Sequence, residues 1–187
     1  MEVLIIIIGL VVVIGLFLIT AYNRLVRLRN NRENAFADID VQLRQRHDLI
    51  PTLIETVKGY MKHEKELLTE VTNARARAMS AGSINEKIAA ESQLSSALGG
   101  IQVAVEAYPD LKASQNFLNL QEEISDVENK LAAVRRFFNS ATKELNVSVE
   151  SFPSNIVAGM FGFSREPMFD LGDRREKMEE PPEVSFN

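Results

Sequence analysis

An uncharged apolar run near the start of the chain constrains the fold more than any other feature of the sequence. From Val3 to Ala21 no residue carries a charge, and all but two glycines and one threonine are apolar. At a helical rise of ~1.5 Å per residue, this run spans about 28 Å, which is close to the thickness of a bilayer core. The run therefore predicts a transmembrane helix over residues 3–21, preceded by a short N-terminus of residues 1–2.

A cleaved secretory signal peptide is the alternative interpretation of this run. A signal peptide needs basic residues before its apolar stretch and a cleavage site with small residues after it. Here Glu2 is the only charged side chain before the run, and Tyr22, Asn23 and Arg24 follow it. The flanks therefore favour a helix that is retained.

The distribution of basic residues around the run predicts its orientation. No lysine or arginine precedes the run, whereas Arg24, Arg27, Arg29 and Arg32 follow it closely. Basic residues that flank a span stay in the cytoplasm, so we expect the N-terminus outside and the main domain in the cytoplasm. The same four arginines could contact anionic lipid headgroups, although a generic stop-transfer flank is the simpler role.

The rest of the chain has the periodicity of helices. Apolar residues recur at alternating intervals of three and four from Phe117 to Leu145, which is an unbroken seam that needs partner helices. A second helix is predicted over residues 84–108, with a capping box at Ser83 and Glu86. The pair Gly99–Gly100 inside it either weakens this helix or allows close packing.

Two further helices are predicted over residues 22–47 and 51–81. Pro51 cannot donate a hydrogen bond to the carbonyl of His47, so the chain is expected to kink or restart there. No residues are spare for a reversal, which favours a single kinked helix from Val3 to Ala81. The helix over residues 84–108 is too short to cover it. The apolar face nearest the membrane would then need the long C-terminal helix or other copies of the chain, and this predicts a homo-oligomer.

Composition excludes several classes of function. The 187 residues include no cysteine, so disulfides, thiolate catalysis and cysteine-based metal sites are ruled out. The formal net charge of −5 argues against nucleic acid as a partner. The fractions of apolar and charged residues are those of a folded protein.

The densest polar cluster lies between residues 38 and 48. The simplest interpretation is a salt-bridged face in contact with solvent, or an interface. A binding site for a partner or peptide is a more specific alternative, and catalysis is a third. A metal site would use His47 and His63, but a straight helix would separate them by about 24 Å, so neither a metal nor a cofactor is predicted. The candidate interaction residues of this cluster are Asp38, Asp40, Arg44, His47 and Asp48.

The C-terminal tail, residues 153–187, differs in kind from the helical part. It combines acidic residues with aromatic ones, among which Phe161 and Phe163 are candidate interaction residues. Exposed, such apolar side chains would form an adhesive patch. An extended strap docked on the helices, an arm that bridges subunits and a partner-binding motif are the three alternatives.

Several motifs resemble the LemA family. The most specific is DIDVQLRQRHDLIPTLIETVKGYMKHE (residues 38–64), and TNARARA (72–78), YPDLKASQNFLNLQEE (108–123) and AVRRFFN (133–139) support it. The resemblance covers essentially the whole chain. It implies a bacterial, single-pass membrane protein with a helical cytoplasmic-type domain. It implies no agreed enzymatic activity, so no catalytic residues are carried over.

These observations predict an all-α chain with a transmembrane helix over residues 3–21. An elongated, antiparallel, LemA-like bundle of three to four long helices would follow over residues 22–152, with an irregular tail over 153–187. The expected function is a non-enzymatic scaffold in the bacterial inner membrane that self-associates through its helical seams and contacts the bilayer and other membrane proteins. The alternative is a membrane-associated module that binds a peptide or lipid through the 38–48 cluster and the aromatic tail.

Overall fold

The computed structural model describes residues 1–170, and within this range the chain forms helices and no strand. The predicted all-α fold is confirmed. Residues 171–187 of the predicted tail lie outside the described range. In chain order the helices are α1 (Glu2–Lys58), α2 (Lys65–Ser80), α3 (Ile84–Val105), α4 (Pro109–Lys112), α5 (Gln115–Glu150) and α6 (Ser154–Met160).

Helix α1 begins in the apolar run and continues through Pro51 to Lys58. A proline removes the backbone hydrogen bond that would reach the carbonyl four residues earlier. That carbonyl belongs to His47, and Nε of Arg75 in α2 donates a hydrogen bond to it at 2.8 Å. The restart suggested by Pro51 does not occur, and a side chain from α2 supplies the donor that the proline lacks.

The chain turns after α1, where the sequence favoured a helix that continued to Ala81. Residues 59–64 form turns between α1 and α2. Gly59 disfavours helix at this point, and the side chain of Met61 folds back into the core. The prediction of one helix from Val3 to Ala81 is therefore wrong, because a glycine and a buried methionine end α1 early.

The described residues form two compact units. The first unit comprises Met1–Leu43 and Asn129–Met168, and the second comprises Arg44–Glu128 together with residues 169–170. Helices α1 and α5 each contribute residues to both units. The range 22–152, expected as one bundle, is thus divided between two units, and residues 153–168 of the tail belong to the first.

The second unit has an extensive apolar core in which α2 and α3 lie very close together. A Cβ atom added at Gly100 of α3 would lie 2.8 Å from Cδ1 of Leu67 in α2, whereas one added at Gly99 would meet open space. Close packing is therefore the role of Gly100 and not of Gly99. The largest fully buried apolar side chains of this core are Ile50, Met61, Leu94, Ile101, Leu111 and Phe117.

The predicted start of α3 is confirmed by its hydrogen bonds. Oγ of Ser83 accepts from the backbone N–H of Glu86 at 3.2 Å, and the Glu86 carboxylate accepts from the N–H of Ser83 at 3.0 Å. The same carboxylate accepts from the N–H of Gly82. These backbone hydrogen bonds lower the pKa of Glu86 because they favour its ionised form.

The first unit covers the face of α1 that follows the apolar run. Leu25 is fully buried and packs with Leu145 of α5 and with Val157 and Ala158 of α6. Farther along α1, the rings of Phe36 and Phe138 lie 5.5 Å apart. Of the two expected covers for this face, the long C-terminal helix provides one within the chain, because α5 extends to Glu150 and α6 packs back against α1.

The part of α1 before this core has no such cover. The side chains of residues 3–16 are exposed, apart from partly exposed Gly15, and Leu18 is the first residue of α1 that packs against the core of the first unit. Within the described part of the chain, α1 is the helix that is long and apolar enough to cross a membrane by length and composition.

Candidate functional site

A buried carboxylate lies at the centre of a polar cluster in the second unit. The Glu91 side chain of α3 is only 1% exposed. Its Oε1 lies 2.6 Å from Nε2 of His47, and its Oε2 lies 3.3 Å from Nη1 of Arg46. In the tautomer of His47 that carries its hydrogen on Nε2, this nitrogen donates to the carboxylate. Both oxygens of Glu91 are therefore held by neighbouring residues of α1.

The cluster reaches two further helices. Nη2 of Arg46 donates to Oγ of Ser95 at 2.9 Å and lies 3.6 Å from Oε1 of Glu128 in α5. The backbone of His47 is in turn held by Arg75 of α2. One short segment of α1 thus has charged or polar contacts with α2, α3 and α5.

The chemistry open to this cluster is limited by its burial. The side chains of Arg46 and His47 are 4% and 8% exposed. A general acid or base has to come within hydrogen-bond distance of a proton on the substrate. With both Glu91 oxygens occupied and all three side chains buried, the geometry suits an internal cross-link between helices better than a group that must reach a substrate.

The candidate interaction residues between 38 and 48 are divided between the two units. Asp38 and Asp40 belong to the first unit, whereas Arg44, His47 and Asp48 belong to the second. Asp38, Arg44 and Asp48 are exposed, Asp40 is half-buried, and His47 is turned into the cluster around Glu91.

Sequence reasoning missed Glu91, although a signal for it was present. Glu91 lies three residues after Ile88 and three before Leu94, both of which are buried in the apolar face of α3. A charged residue in an apolar stripe requires a partner, because burial of an unpaired charge is very costly. The periodicity of α3 could have identified Glu91 as buried, but it gives no partner.

Metal ligation was not predicted, and the geometry offers no ready-made site in the part of the chain described. Residues 1–170 contain no group of three or more His, Asp or Glu side chains placed to hold a metal ion.

A second buried charge lies in the first unit. Arg32 of α1 is 5% exposed, and its Nη2 lies 3.4 Å from both Oε2 of Glu166 and the carbonyl oxygen of Pro167. Its guanidinium also lies 5.0 Å from the centroid of the Phe138 ring. Burial lowers the pKa of Arg32, while the charges of Glu166 and Glu33 oppose this shift.

Hydrogen bonds also hold the segment that carries Glu166. The amide of Asn146 in α5 donates to the carbonyl of Glu166 at 2.9 Å and accepts from its N–H at 2.8 Å. Of the three alternatives for the tail, a docked strap describes residues 163–168.

The basic flank after the apolar run is therefore not uniform. Arg24, Arg27 and Arg29 are exposed, and Arg29 lies 5.2 Å from the centroid of the Phe163 ring. Arg32 is turned inward, which corrects the expectation that all four arginines face solvent or lipid headgroups. The physical reason is that Glu166 and the Phe138 ring provide a counter-charge and a ring face for its guanidinium.

The aromatic candidates of the tail lie beside the start of this basic flank. The ring of Phe161 is 4.7 Å from that of Tyr22, and the ring of Phe163 is 6.1 Å from it. Tyr22 is the first residue after the apolar run. The structure thus brings both predicted aromatic residues to the end of the membrane-spanning candidate.

Comparison with known proteins identifies three informative relatives. "Protein LemA" of Metamycoplasma hominis is 29% identical over 137 residues, which cover 73% of this chain and 63% of the relative. "Magnetosome protein MamQ" of Magnetospirillum gryphiswaldense is 21% identical over 178 residues, covering 81% and 65%. "Magnetosome protein MamQ 2" of Paramagnetospirillum magneticum is 20% identical with the same coverage. The chain thus spans somewhat less than two thirds of the length of these curated relatives.

The family comparison covers most of the chain. Residues 35–186 match the LemA family, a range that includes most of both units and the motif between residues 38 and 64. This match agrees with the all-helical fold and with the apolar helix that precedes the matched range. The chain therefore belongs to the LemA family.

Proposed function

We propose that this chain is a membrane-anchored, non-enzymatic interaction protein of the bacterial inner membrane. The observation that carries the proposal is the bare apolar stretch of residues 3–16, which continues as a single helix into the folded units. A contiguous apolar surface of this extent marks a contact with a membrane or a protein. A bilayer satisfies it because the helix makes its own backbone hydrogen bonds.

The charges after the run support a single pass with the N-terminus outside and the helical domain in the cytoplasm. Arg24, Arg27 and Arg29 are exposed immediately after the run, and no basic side chain precedes it. The positive-inside rule then assigns the two units to the cytoplasmic side. The net charge of −5 gives the chain no general attraction for nucleic acid.

We also propose that the chain is not an enzyme. The support is that the buried polar cluster around Glu91 links helices to one another. Arg46 and His47 hold both oxygens of Glu91 inside the second unit, so these three side chains face one another and not a substrate. The names of the relatives specify no reaction. A reproducible turnover by the purified chain that is lost in Asp48→Asn or His47→Gln would overturn this part of the proposal.

Self-association and contacts with other membrane proteins complete the proposal. The seam along α5 is largely buried within the chain, for example at Leu131 and Leu145, so other surfaces must be used. Met79 of α2 and Leu118 of α5 are exposed apolar side chains that suit such contacts. The alternative of a peptide site in the 38–48 cluster gains no support, since His47 is not accessible there.

Two measurements test the anchor and its orientation. The chain should stay with membranes in alkaline carbonate, and release into the supernatant would overturn the anchor. Because the chain has no cysteine, Val103→Cys creates a unique thiol. A membrane-impermeant maleimide should label it in inverted vesicles and not in intact spheroplasts, and the reverse would overturn the orientation.

Light scattering of the particle in nanodiscs tests self-association. The protein mass should be a discrete multiple of the 21.0 kDa chain. A mass of one chain at all protein concentrations would overturn self-association and leave contacts with other membrane proteins as the remaining role.

A further inference from the structure

The segment that joins α5 to the docked strap is unusually apolar. Residues 151–164, here called the elbow, contain α6 and the turns on either side of it and carry no charged side chain. The two flanking charges, Glu150 and Arg165, form an ion pair at 3.1 Å. The elbow is thus a stretch of fourteen uncharged residues whose two flanking charges pair with each other.

The outer face of the elbow is hydrophobic. Phe152 is 79% exposed, Ile156 53%, Met160 66% and Phe161 54%. Ile156 and Met160 are four residues apart and so lie on the same face of α6. The opposite face, with Val157 and Ala158, is buried against α1. Four large apolar side chains within ten residues are therefore more than half exposed.

The position of the elbow along α1 indicates what covers this face. Val157 and Ala158 pack with Ala21, Leu18 packs against the same core, and Phe161 contacts Tyr22. The elbow consequently lies beside residues 17–22, where the apolar run ends.

The length of the bare stretch leads to the same place. Fourteen residues, 3–16, span about 21 Å at a helical rise of ~1.5 Å, whereas the hydrocarbon core of a bilayer is about 30 Å thick. Spanning the remaining ~9 Å takes about six more residues, which are residues 17–22. Over these residues α1 is accompanied by the elbow, so a bilayer that covers the run also reaches the elbow.

Part of the backbone of the elbow is hydrogen-bonded within the segment. The N–H groups of Asn155, Phe161 and Phe163 donate to carbonyls of Ser151, Val157 and Ala158 at 2.8 to 3.1 Å. Oγ of Ser154 lies 2.6 Å from the carbonyl oxygen of Ser148. Satisfied backbone groups are what a segment in contact with lipid requires.

We propose that the elbow is seated in the interfacial layer of the same bilayer that holds the start of α1, with Phe152, Ile156, Met160 and Phe161 in contact with lipid acyl chains. The inference rests on the anchor proposed above. The elbow then acts as a second attachment, which fixes the tilt and rotation of the first unit on the membrane surface.

The surroundings of the elbow match a headgroup layer. Tyr22 has the position and chemistry of an interfacial aromatic residue. The exposed Arg24 and the Arg29 guanidinium over Phe163 lie farther along α1, where anionic headgroups would be. Beside the elbow, a groove of about 720 Å³ is walled by Phe17, Phe152 and Lys143 among others. The lining also includes Glu144, so the groove has apolar, basic and acidic walls, of which Phe17, Phe152 and Lys143 suit the upper acyl chain and phosphate of a lipid.

Tryptophan fluorescence tests the proposal, since the chain has no tryptophan of its own. Met160→Trp places a reporter on the elbow, and Phe137→Trp, at a similarly exposed site on α5, is the matched control. Val11→Trp reports on the anchor itself. Each full-length variant is placed in phosphatidylcholine–phosphatidylglycerol vesicles whose lipids are brominated near the headgroup end of the acyl chains. For Val11→Trp, which lies near the middle of the run, the lipids are brominated near the methyl end of the chains instead.

Bromolipids should quench Met160→Trp severalfold more than Phe137→Trp, and iodide should quench it severalfold less. If iodide quenches Met160→Trp strongly while bromolipids quench Val11→Trp, the proposed lipid contact of the elbow is overturned and the proposed anchor is retained. Protection of Met160→Trp from both quenchers would also overturn this lipid contact, because a second protein surface would then cover the elbow. If bromolipids do not quench Val11→Trp, both the proposed anchor and the proposed lipid contact of the elbow are overturned. Ile156→Trp is the replacement reporter if Met160→Trp does not fold.

Discussion

Each unit of the molecule buries an arginine of α1, but the two units treat its charge differently. In the second unit Arg46 meets Glu91, whose side chain is 1% exposed, and His47 occupies the other carboxylate oxygen. In the first unit Arg32 meets Glu166, whose side chain is 28% exposed. The central carboxylate of the second unit is thus closed to water, whereas that of the first unit is partly open to it.

This difference shows how partner exposure controls the cost of losing a charge. When one member of a buried pair is removed, the other is left without water or a counter-charge. When the partner is partly exposed, water can replace part of the interaction. The second unit should therefore depend on its charge cluster far more than the first unit depends on Arg32 and Glu166.

The largest effect is expected for Glu91→Gln. The change leaves two buried basic side chains without their carboxylate and should lower the free energy of unfolding by about 3–5 kcal/mol. Urea unfolding in detergent, followed by circular dichroism, measures this loss, and hydrogen exchange should localise it to α3. The exposed Glu123→Gln is the matched control, and an equal effect of both changes would contradict a closed cluster.

The same chemical change in the first unit should cost less. Glu166→Gln keeps an oxygen near Arg32 and leaves the two hydrogen bonds from Asn146 to the backbone in place. The expected loss is about 1 kcal/mol, because the carboxylate is partly exposed. The same urea experiment compares it with Glu91→Gln. Equal losses for the two variants would remove the distinction between the units.

The two adjacent glycines of α3 test how closely α2 and α3 pack in the second unit. Gly99→Ala should stabilise the unit by up to about 1 kcal/mol, since alanine favours helix and the added methyl meets open space. Gly100→Ala should gain less or lose stability, because its methyl meets Leu67 at 2.8 Å. Thermal unfolding of the two variants measures the difference, and identical behaviour would argue against the close approach of α2 and α3.

The smallest effect concerns the start of α3 in acid. Because the folded-state pKa of Glu86 is below its ordinary value of 4.5, its contribution to stability is present above that value and is lost as the pH falls through the folded-state pKa. Glu86→Gln should therefore lose less melting temperature than the parent chain between neutral pH and acid. The exposed, neutral change Gln93→Ala should keep the parent slope. An unchanged slope in Glu86→Gln would remove this role.

Much of the fold could be predicted because it depends on patterns among residues close together in the sequence. The apolar run marked the start of α1, the capping box marked the first residue of α3, and the seam from Phe117 to Leu145 lies within α5. The end of α1 was missed because Ile54, Val57 and Met61 keep a helical spacing across Gly59, so the glycine alone did not indicate a turn. The continuation of α1 through Pro51 without a restart could not be predicted, because the donor to the His47 carbonyl comes from Arg75, 28 residues away.

The candidate site was less predictable than the fold. His47 was singled out for its position in a polar run, yet its partner Glu91 lies 44 residues away on another helix. Arg32 was grouped with three other arginines by its place after the apolar run, yet Glu166 draws it inward. In both cases the sequence shows which side chain is charged but not which distant segment lies opposite to it.

The sequence by itself determined the helical class, the apolar span, the cap of α3, and which faces of the helices are apolar. These properties follow from hydrogen bonds and periodicities within a few residues. Only the tertiary structure decided that Glu91 closes over His47 and Arg46, that Glu166 reaches Arg32, and that the elbow lies beside the end of the apolar run. Periodicity identifies a buried face, whereas its partner depends on how distant helices meet in space.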